Sequence, residues 1–284
     1  MRKQELDGRR KYYLILDCET ATLPYAATIE DPAKRQAVAI AKPLIYDLGW
    51  TIVDRKGKIY KKQSFVISEI FSVPSVFNTA YYADKRPLYL DMLDKGLATL
   101  ADWRTATKAL EHDLSMVEAV GAYNAMFDFK KAIPFTELYI NKLYSPDFNT
   151  WETFQELCCA EIANGYIKSS NRTFDSNNFI FHGKTYPLFD IWGMACSHIL
   201  NCDEYREMCS ENGWYSQSGK YYKTSAESAY RFATKNLDFI EAHTALDDAE
   251  IESLLFGMAT TANKNKIQIG ITYFPFRIVG KVEM

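Results

Sequence analysis

Three apolar runs near the start constrain this chain more than any other feature. Tyr12–Asp17 reads YYLILD, a short run that ends in a carboxylate, and Leu44–Val53 and Ile59–Ile67 are two further runs. Short apolar runs of this kind read as buried strands. Between the last two lies Asp54-Arg55-Lys56-Gly57-Lys58, charged and glycine-containing, which is the chemistry of a hairpin turn. A strand followed by a hairpin therefore opens the chain, and the fold must be built on a sheet.

The periodicity then changes. Pro87–Lys95 and Ala101–Met116 carry apolar residues at three-to-four spacing, with Leu100, Trp103, Leu110 and Leu114 on one stripe, which predicts helices. Met116–Tyr123 reads as a further strand and Phe127–Leu143 as a further helix. The order β-β-β-α-β-α is that of a mixed sheet covered by helices, an α/β fold.

Ser145–Tyr222 has a different character: rich in Asn, Ser, Cys and aromatics, with Ser169-Ser170-Asn171 and Ser176-Asn177-Asn178 and no long periodic run. Within it Tyr186–Ile199 predicts a short strand or a helix, and WYSQSGKYYK predicts a hairpin around Ser218-Gly219. No linker flanks the stretch, so residues 145–222 are expected to be an insertion within a single domain spanning 1–284. Thr224-Ser225-Ala226-Glu227 reads as a capping box opening a helix over Ala226–Lys235. A long helix follows over Ala245–Ala262, with Leu246, Ile251, Leu254, Leu255 and Met258 on its apolar face. The tail KIQIGITYFPFRIVGKVEM reads as a strand and an extended segment.

Composition narrows the function classes. Across 284 residues, 48% hydrophobic and 24% charged is the balance of a water-soluble globular chain that can bury a substantial core. A net charge of −3 argues against a coat for long duplex nucleic acid, although bound metals can cancel charge where a phosphate must sit. No apolar run is long enough for a membrane span, and MRKQELDGRRKYY is too polar for a secretory signal, so a reducing, cytoplasmic location is expected. The six cysteines are then expected as free thiols. Cys158, Cys159, Cys196, Cys202 and Cys209 cluster near His182 and His198, but without the paired C-x2-4-C spacing of a zinc site.

The candidate chemistry rests on acids far apart in sequence. Residues i and i+2 of a strand project from one face, so Asp17 and Glu19 point together at the mouth of the first strand, with Cys18 turned aside. Paired carboxylates repel unless a cation sits between them. Asp128 follows the strand that ends near Tyr123, at the strand ends where open α/β sheets place their sites. Asn124, four residues earlier, could cap the turn. His243 precedes the last long helix and Asp248 lies five residues after it, with small Ala245 between them to allow close packing. Histidine titrates near neutral pH and suits proton abstraction from water. Asp247 reads as a decoy beside Asp248, and Glu250 and Glu252 read as a solvated face. Taken singly, each acid is equally a capping or surface carboxylate.

In combination, Asp-x-Glu-Thr near the start, Asn-x-x-Phe-Asp in the middle and His-x-Ala-x-x-Asp near the end resemble the three motifs of the DEDDh (DnaQ-like) 3′–5′ exonuclease family. The resemblance covers roughly residues 10–143 and 224–262. It implies a ribonuclease H-like fold with a mixed five-stranded sheet flanked by helices. It also implies that Asp17, Glu19, Asp128 and Asp248 ligate two magnesium or manganese ions and that His243 helps activate the attacking water. Glu19 and the backbone near Thr20 would meet the terminal 3′-hydroxyl, Asn124 would hold the turn beside the substrate, and Phe127 would pack the site. Tyr123 stands where many relatives have histidine, and the segment between Asp128 and His243 is longer than in most.

The implied reaction is hydrolysis of single-stranded nucleic acid, DNA favoured, from its 3′ end to nucleoside 5′-monophosphates. A proofreading or repair subunit working with a polymerase, a 3′–5′ exoribonuclease and a non-catalytic nucleic-acid binder are the alternatives. Arg55, Lys56, Lys58, Lys61 and Lys62 could hold backbone phosphates, but a solvated basic turn is the preferred reading.

Overall fold

The strand β1 (Tyr13–Ala21) is apolar on both faces, and the architecture follows from that. Leu14 and Leu16 enter one core while Tyr13 and Ile15 enter another, all four buried. A strand with two apolar faces must be covered on both. In the computed structural model, residues 6–24, 29–33, 35–36, 42–144 and 176–282 are described.

β2 (Leu44–Val53) runs antiparallel to β1 and is buried along its whole length. β3 (Ile59–Ile67) returns antiparallel to β2 through the predicted turn, where Gly57 adopts φ 77° and donates its N–H to the Asp54 carbonyl at 2.9 Å. β4 (Thr99–Ala101) lies parallel to β3, and β5 (Ala119–Ala122) lies parallel to β1 on its other side. β6 (Asn178–Phe181) pairs antiparallel with β7 (Lys184–Asp190), which runs parallel to β5. The sheet order is β4-β3-β2-β1-β5-β7-β6.

The sheet therefore has seven strands where five were expected. β4 has three residues, too few to display a period, and β7 comes from the stretch read as an insertion. Tyr186–Ile199 supplies both a strand and a helix, the end of β7 and then Ile191–His198. The tail makes two isolated bridges, Gly270 to Phe189 and Lys281 to Tyr221, and a short helix at Phe276–Val279 in place of a strand. The hairpin around Gly219 forms, with Ser216 accepting from the Gly219 N–H at 2.8 Å and Tyr215 bridging Tyr222.

Helices cover both faces. α1 (Arg86–Asp94) and α2 (Trp103–Leu114) precede β5, and α2 is capped by Asp102, which accepts from the Thr105 N–H at 2.6 Å. Leu100 lies in exposed β4, so the buried stripe begins at Trp103. After β5 the chain turns through Ala125–Phe127 and a π-helical turn, Asp128–Ala132, into α3 (Ile133–Leu143). Pro134 has no N–H to donate back along the helix, which accounts for the widened turn before it. α4 (Ile191–His198) is capped by Asp190, and α5 (Asp203–Asn212) ends on left-handed Gly213. α6 (Ala226–Thr234) is capped by Ser225, accepting from the Ser228 N–H at 3.3 Å, so the expected box from Thr224 is one residue out of register. Glu227 instead pairs with Arg231 at 2.9 Å.

α7 (Ala245–Ala262) has the predicted bounds but a different buried face. Met258 is exposed and Leu246 and Leu254 are half-buried, while Ala249, Phe256 and Ala259 are buried with Ile251 and Leu255. Small residues decide this, because the helix lies close against the backbone of the first hairpin. A Cβ on Gly257 would fall 2.2 Å from the Lys56 carbonyl oxygen, and one on Gly49 would fall 2.3 Å from the Leu246 amide nitrogen. The Thr51 and Ser253 hydroxyls, 2.7 Å apart, join the same two elements. No helix among the described residues is long and apolar enough to cross a membrane.

The Gly49 contact is with backbone, which cannot swing away. Gly49→Ala should destabilise the protein by about 1–3 kcal/mol through overpacking. Chemical denaturation of both proteins checks this, and an unchanged midpoint would show that α7 shifts freely.

Candidate active site

The parallel strands β1, β5 and β7 end on the same side of the sheet, and the site is built there. Tyr13 pairs with Ala119 and Ile15 with Gly121, which leaves Asp17 and Glu19 extending past the end of β5. Asp128 sits on the π-helical turn that follows β5, and Asp190 ends β7. The fourth contribution arrives from α7, which crosses the β1–β2 pair and carries Asp248, with His243 on the segment just before the helix.

One ligand-bearing atom each from Glu19, His243 and Asp248 lies within 4.8 Å of the other two. Asp128 is buried, and its Oδ1 accepts from the Cys18 thiol at 3.0 Å. Cys18 is thus not turned aside from the site: its side chain braces one of the candidate ligands. Asp47, opposite Glu19 in the β1–β2 register, accepts from the Ala245 N–H at 2.8 Å and the Tyr89 hydroxyl at 3.0 Å. Asp247 is exposed and engaged in the helix cap, with its Oδ2 accepting from the Thr244 hydroxyl at 2.7 Å.

Asn124 makes no side-chain cap; its carbonyl accepts from the N–H groups of Phe127 and Asp128. Phe127 is half-buried against the core, and Thr20 is half-buried beside an irregularity in the register between Glu19 and Thr20.

Glu252 was expected on a solvated face and is instead buried beneath the site, accepting from the Tyr123 N–H at 3.0 Å. It lies four residues after Asp248, so the two carboxylates share one side of α7. Glu250 is the outward member and pairs with Lys62 at 2.5 Å.

Burial and mutual repulsion dominate the electrostatics. Burial, followed by Asp128 and Glu19, pushes the Asp17 carboxyl well above its ordinary range. Burial raises Asp128 to about 7, against the lowering effect of the Cys18 bond. Glu19 rises to about 9 through burial and then Asp248, opposed by Lys85, and Asp248 rises to about 10 through burial and then Asp17. Glu252 is raised by burial and by Asp17, Asp128 and Asp248. His243 is shifted the other way, lowered by burial and then by Lys85, so its imidazole is neutral at physiological pH.

The site residues therefore fit a divalent cation. One buried Asp248 oxygen, Oδ1, has no hydrogen-bond partner, and the donors are carboxylate oxygens with an adjacent imidazole, the set that hard cations take.

The basic hairpin lies elsewhere. Val53 pairs with Tyr13, so the turn sits at the opposite end of β1 from Glu19, roughly 20 Å away at strand rise. Lys61 pairs with Asp113 and Lys62 with Glu250, both at 2.5 Å. Of the clustered cysteines, Cys158 and Cys159 lie outside the described residues. Burial raises Cys196 to about 12 and Cys209 to about 11, which keeps these thiols protonated.

No protein-family model matches the chain, and no curated protein matches it in sequence. Among solved structures, one similar chain is ExoI of E. coli, in its zinc-bound complex with single-stranded DNA. The identity is 13% over 89% of this chain and 41% of that one, with a TM-score of 0.42. A second is cell-death related nuclease 4 (CRN-4), at 10% identity over 92% of this chain and 67% of that one, with a TM-score of 0.38. This chain thus spans less than half the length of the first. At these TM-scores the likenesses carry no weight for the reading of the site, which stands on its own residues.

The raised carboxylates have a thermodynamic consequence. Each has a folded-state value above its unfolded one, so without metal it favours the folded state below about pH 4 and loses that contribution as pH rises through its folded value. For Asp128 and Asp248 the window runs from about 4 to about 7 and about 10. With chelator present, unfolding free energy should fall with rising pH, by about 1.4 kcal/mol per pH unit for each carboxylate titrating. Magnesium or manganese should reverse the loss by binding the deprotonated form. Thermal unfolding across pH, with chelator and with metal, checks both. A metal-independent profile would mean that the carboxylates hold no ion.

Proposed function

We propose that the chain is a metal-dependent 3′–5′ exonuclease of the DEDDh kind. On this reading residues 1–284 form one domain with a ribonuclease H-like fold. It hydrolyses single-stranded nucleic acid, with DNA favoured, from the 3′ end and releases nucleoside 5′-monophosphates. One observation supports the reading: Glu19 of β1, His243 and Asp248 of α7 come within 4.8 Å of one another, and a buried oxygen of Asp248 has no hydrogen-bond partner.

Asp17, Glu19, Asp128 and Asp248 would hold two magnesium or manganese ions, which supply charge for water activation and for the departing 3′ oxygen. The chain's own residues do the remaining work. His243, neutral and partly open to solvent, accepts the proton of the attacking water. Glu241, its carboxylate 3.6 Å from Nδ1, stabilises the ring once it is charged. Glu252 stays buried behind Asp17 and Asp248 and fixes the chain at Tyr123. Glu19 and the backbone at Thr20 meet the terminal 3′-hydroxyl, while Asn124 and Phe127 line the approach. A 3′–5′ exoribonuclease would use the same machinery and differ in its treatment of the 2′-hydroxyl.

Digestion of matched 3′-labelled and 5′-labelled single-stranded DNA and RNA is the deciding experiment. Mononucleotides should appear from the 3′ end, with magnesium or manganese required and chelator abolishing release. Asp17→Ala and Asp248→Ala should be inactive. His243→Ala should bind metal like the parent and turn over about 100-fold to 10,000-fold more slowly. Full activity in His243→Ala would remove the histidine from the mechanism, and no metal-dependent release from any substrate would overturn the reading.

A further inference from the structure

His243 lies in an irregular segment, residues 235–244, outside any helix or strand. Its backbone φ is 53°, a left-handed conformation that a residue with a side chain keeps only when its surroundings impose it. Its side chain is 30% exposed, so burial alone does not fix the ring. The constraint comes from one short stretch of chain, residues 82–89.

Tyr82 stacks on the His243 imidazole, with ring centres 4.5 Å apart and planes inclined by 17°. Three residues on, the Lys85 ammonium donates to the Ala242 carbonyl at 2.5 Å and lies 4.5 Å from the centre of the Tyr82 ring. Four residues further, the Tyr89 hydroxyl donates to Asp47, whose same oxygen, Oδ2, accepts from the Ala245 N–H. The spacing of three and four places Tyr82, at the cap of the helical stretch Ala83–Asp94, on the same side as Lys85 and Tyr89 within it. They meet His243, Ala242 and, through Asp47, Ala245. Tyr81 backs Tyr82 edge-on at 4.8 Å, and Arg86 anchors the stretch by donating to the Phe71 carbonyl at 3.0 Å.

We propose that Tyr82 is a positioning residue for His243: its ring is the wall that holds the imidazole toward Glu19 and Asp248, and Lys85 clasps the loop against that wall. The phenol oxygen takes no part, because the contact is made by the ring face. An imidazole free to rotate would spend part of its time away from the water it must deprotonate, and small misplacements of a reacting group are costly. The kinetic consequence rests on the nuclease reading, whereas the geometry does not.

The test pairs two measurements on the full chain. By NMR, the His243 ring proton, assigned by its loss in His243→Ala, should sit upfield under the Tyr82 ring. It should move downfield in Tyr82→Leu and stay in place in Tyr82→Phe. In metal-dependent digestion, Tyr82→Leu should lower kcat about tenfold or more with KM little changed, and Tyr82→Phe should restore it. In a His243→Ala background, Tyr82→Leu should add no further loss. Unfolding midpoints close to that of the parent would exclude a general loss of structure. An unmoved histidine signal in Tyr82→Leu, or an equal kcat loss with and without His243, would overturn the proposal. If no nucleic acid is cleaved at all, the nuclease reading falls, and the NMR arm still decides whether Tyr82 holds the ring.

Discussion

A single buried carboxylate, Asp47, sets the geometry of the whole site. It stands in the middle of a fully buried strand and accepts hydrogen bonds from the first amide of α7 and from Tyr89 of α1. Hydrogen bonds to a charged group contribute roughly 1.5–3 kcal/mol, and losing one partner inside the protein costs the desolvation of the other. Gly49, two residues on and therefore on the same face, leaves room for α7 to settle there. The start of the helix is fixed in position, and with it His243 two residues before Ala245 and Asp248 three residues after. Displacing that contact would carry both groups away from β1.

Buried carboxylates elsewhere in the chain show what is unusual about those in the site. Asp113 is fully buried and is met by Trp50 Nε1 at 2.9 Å, Lys61 at 2.5 Å and His112 Nδ1 at 3.0 Å. Glu69 is buried and accepts from the Trp103 N–H with both oxygens at 3.1 Å. Those groups are satisfied by the protein. At the site, Asp17, Glu19, Asp128, Asp248 and Glu252 chiefly face one another, and Lys85 opposes only part of the repulsion. Such an arrangement is relieved either by protonation, which the raised carboxyl values record, or by a bound cation.

The strands that carry the site were legible because burial on both faces writes a continuous apolar run, as in Tyr12–Leu16 and Leu44–Val53. The ends of α7 were legible from the apolar positions after His243, although its buried face was not, because Ala249, Gly257 and Ala259 are buried for their size. β4 and β6 were hidden by shortness, three and four residues that show no period. Glu252 was misread because charge predicts exposure only when nothing encloses it; its four-residue spacing from Asp248 was the available signal. Asp47 had a signal too, a lone acid inside LIYDLGWTIV. Tyr82 and Lys85 had none, since a stacking contact across 161 residues of chain, from 82 to 243, leaves no pattern in either segment.

Charge distribution also decides how a phosphate chain could reach the site. The basic hairpin is at the wrong end of β1, and its Lys61 and Lys62 are committed to Asp113 and Glu250. Among the described residues, Lys85 is a cation that the fold brings near the carboxylates, and it is engaged with a carbonyl and an aromatic ring. A protein of net charge −3 with an acidic centre has little means of holding a long polyanion by side chains alone. On the proposed nuclease reading, attraction for phosphate would be concentrated at cations held by the cluster of Glu19, His243 and Asp248. On that reading, the charge balance that argues against a broad duplex grip favours the capture of a single chain end.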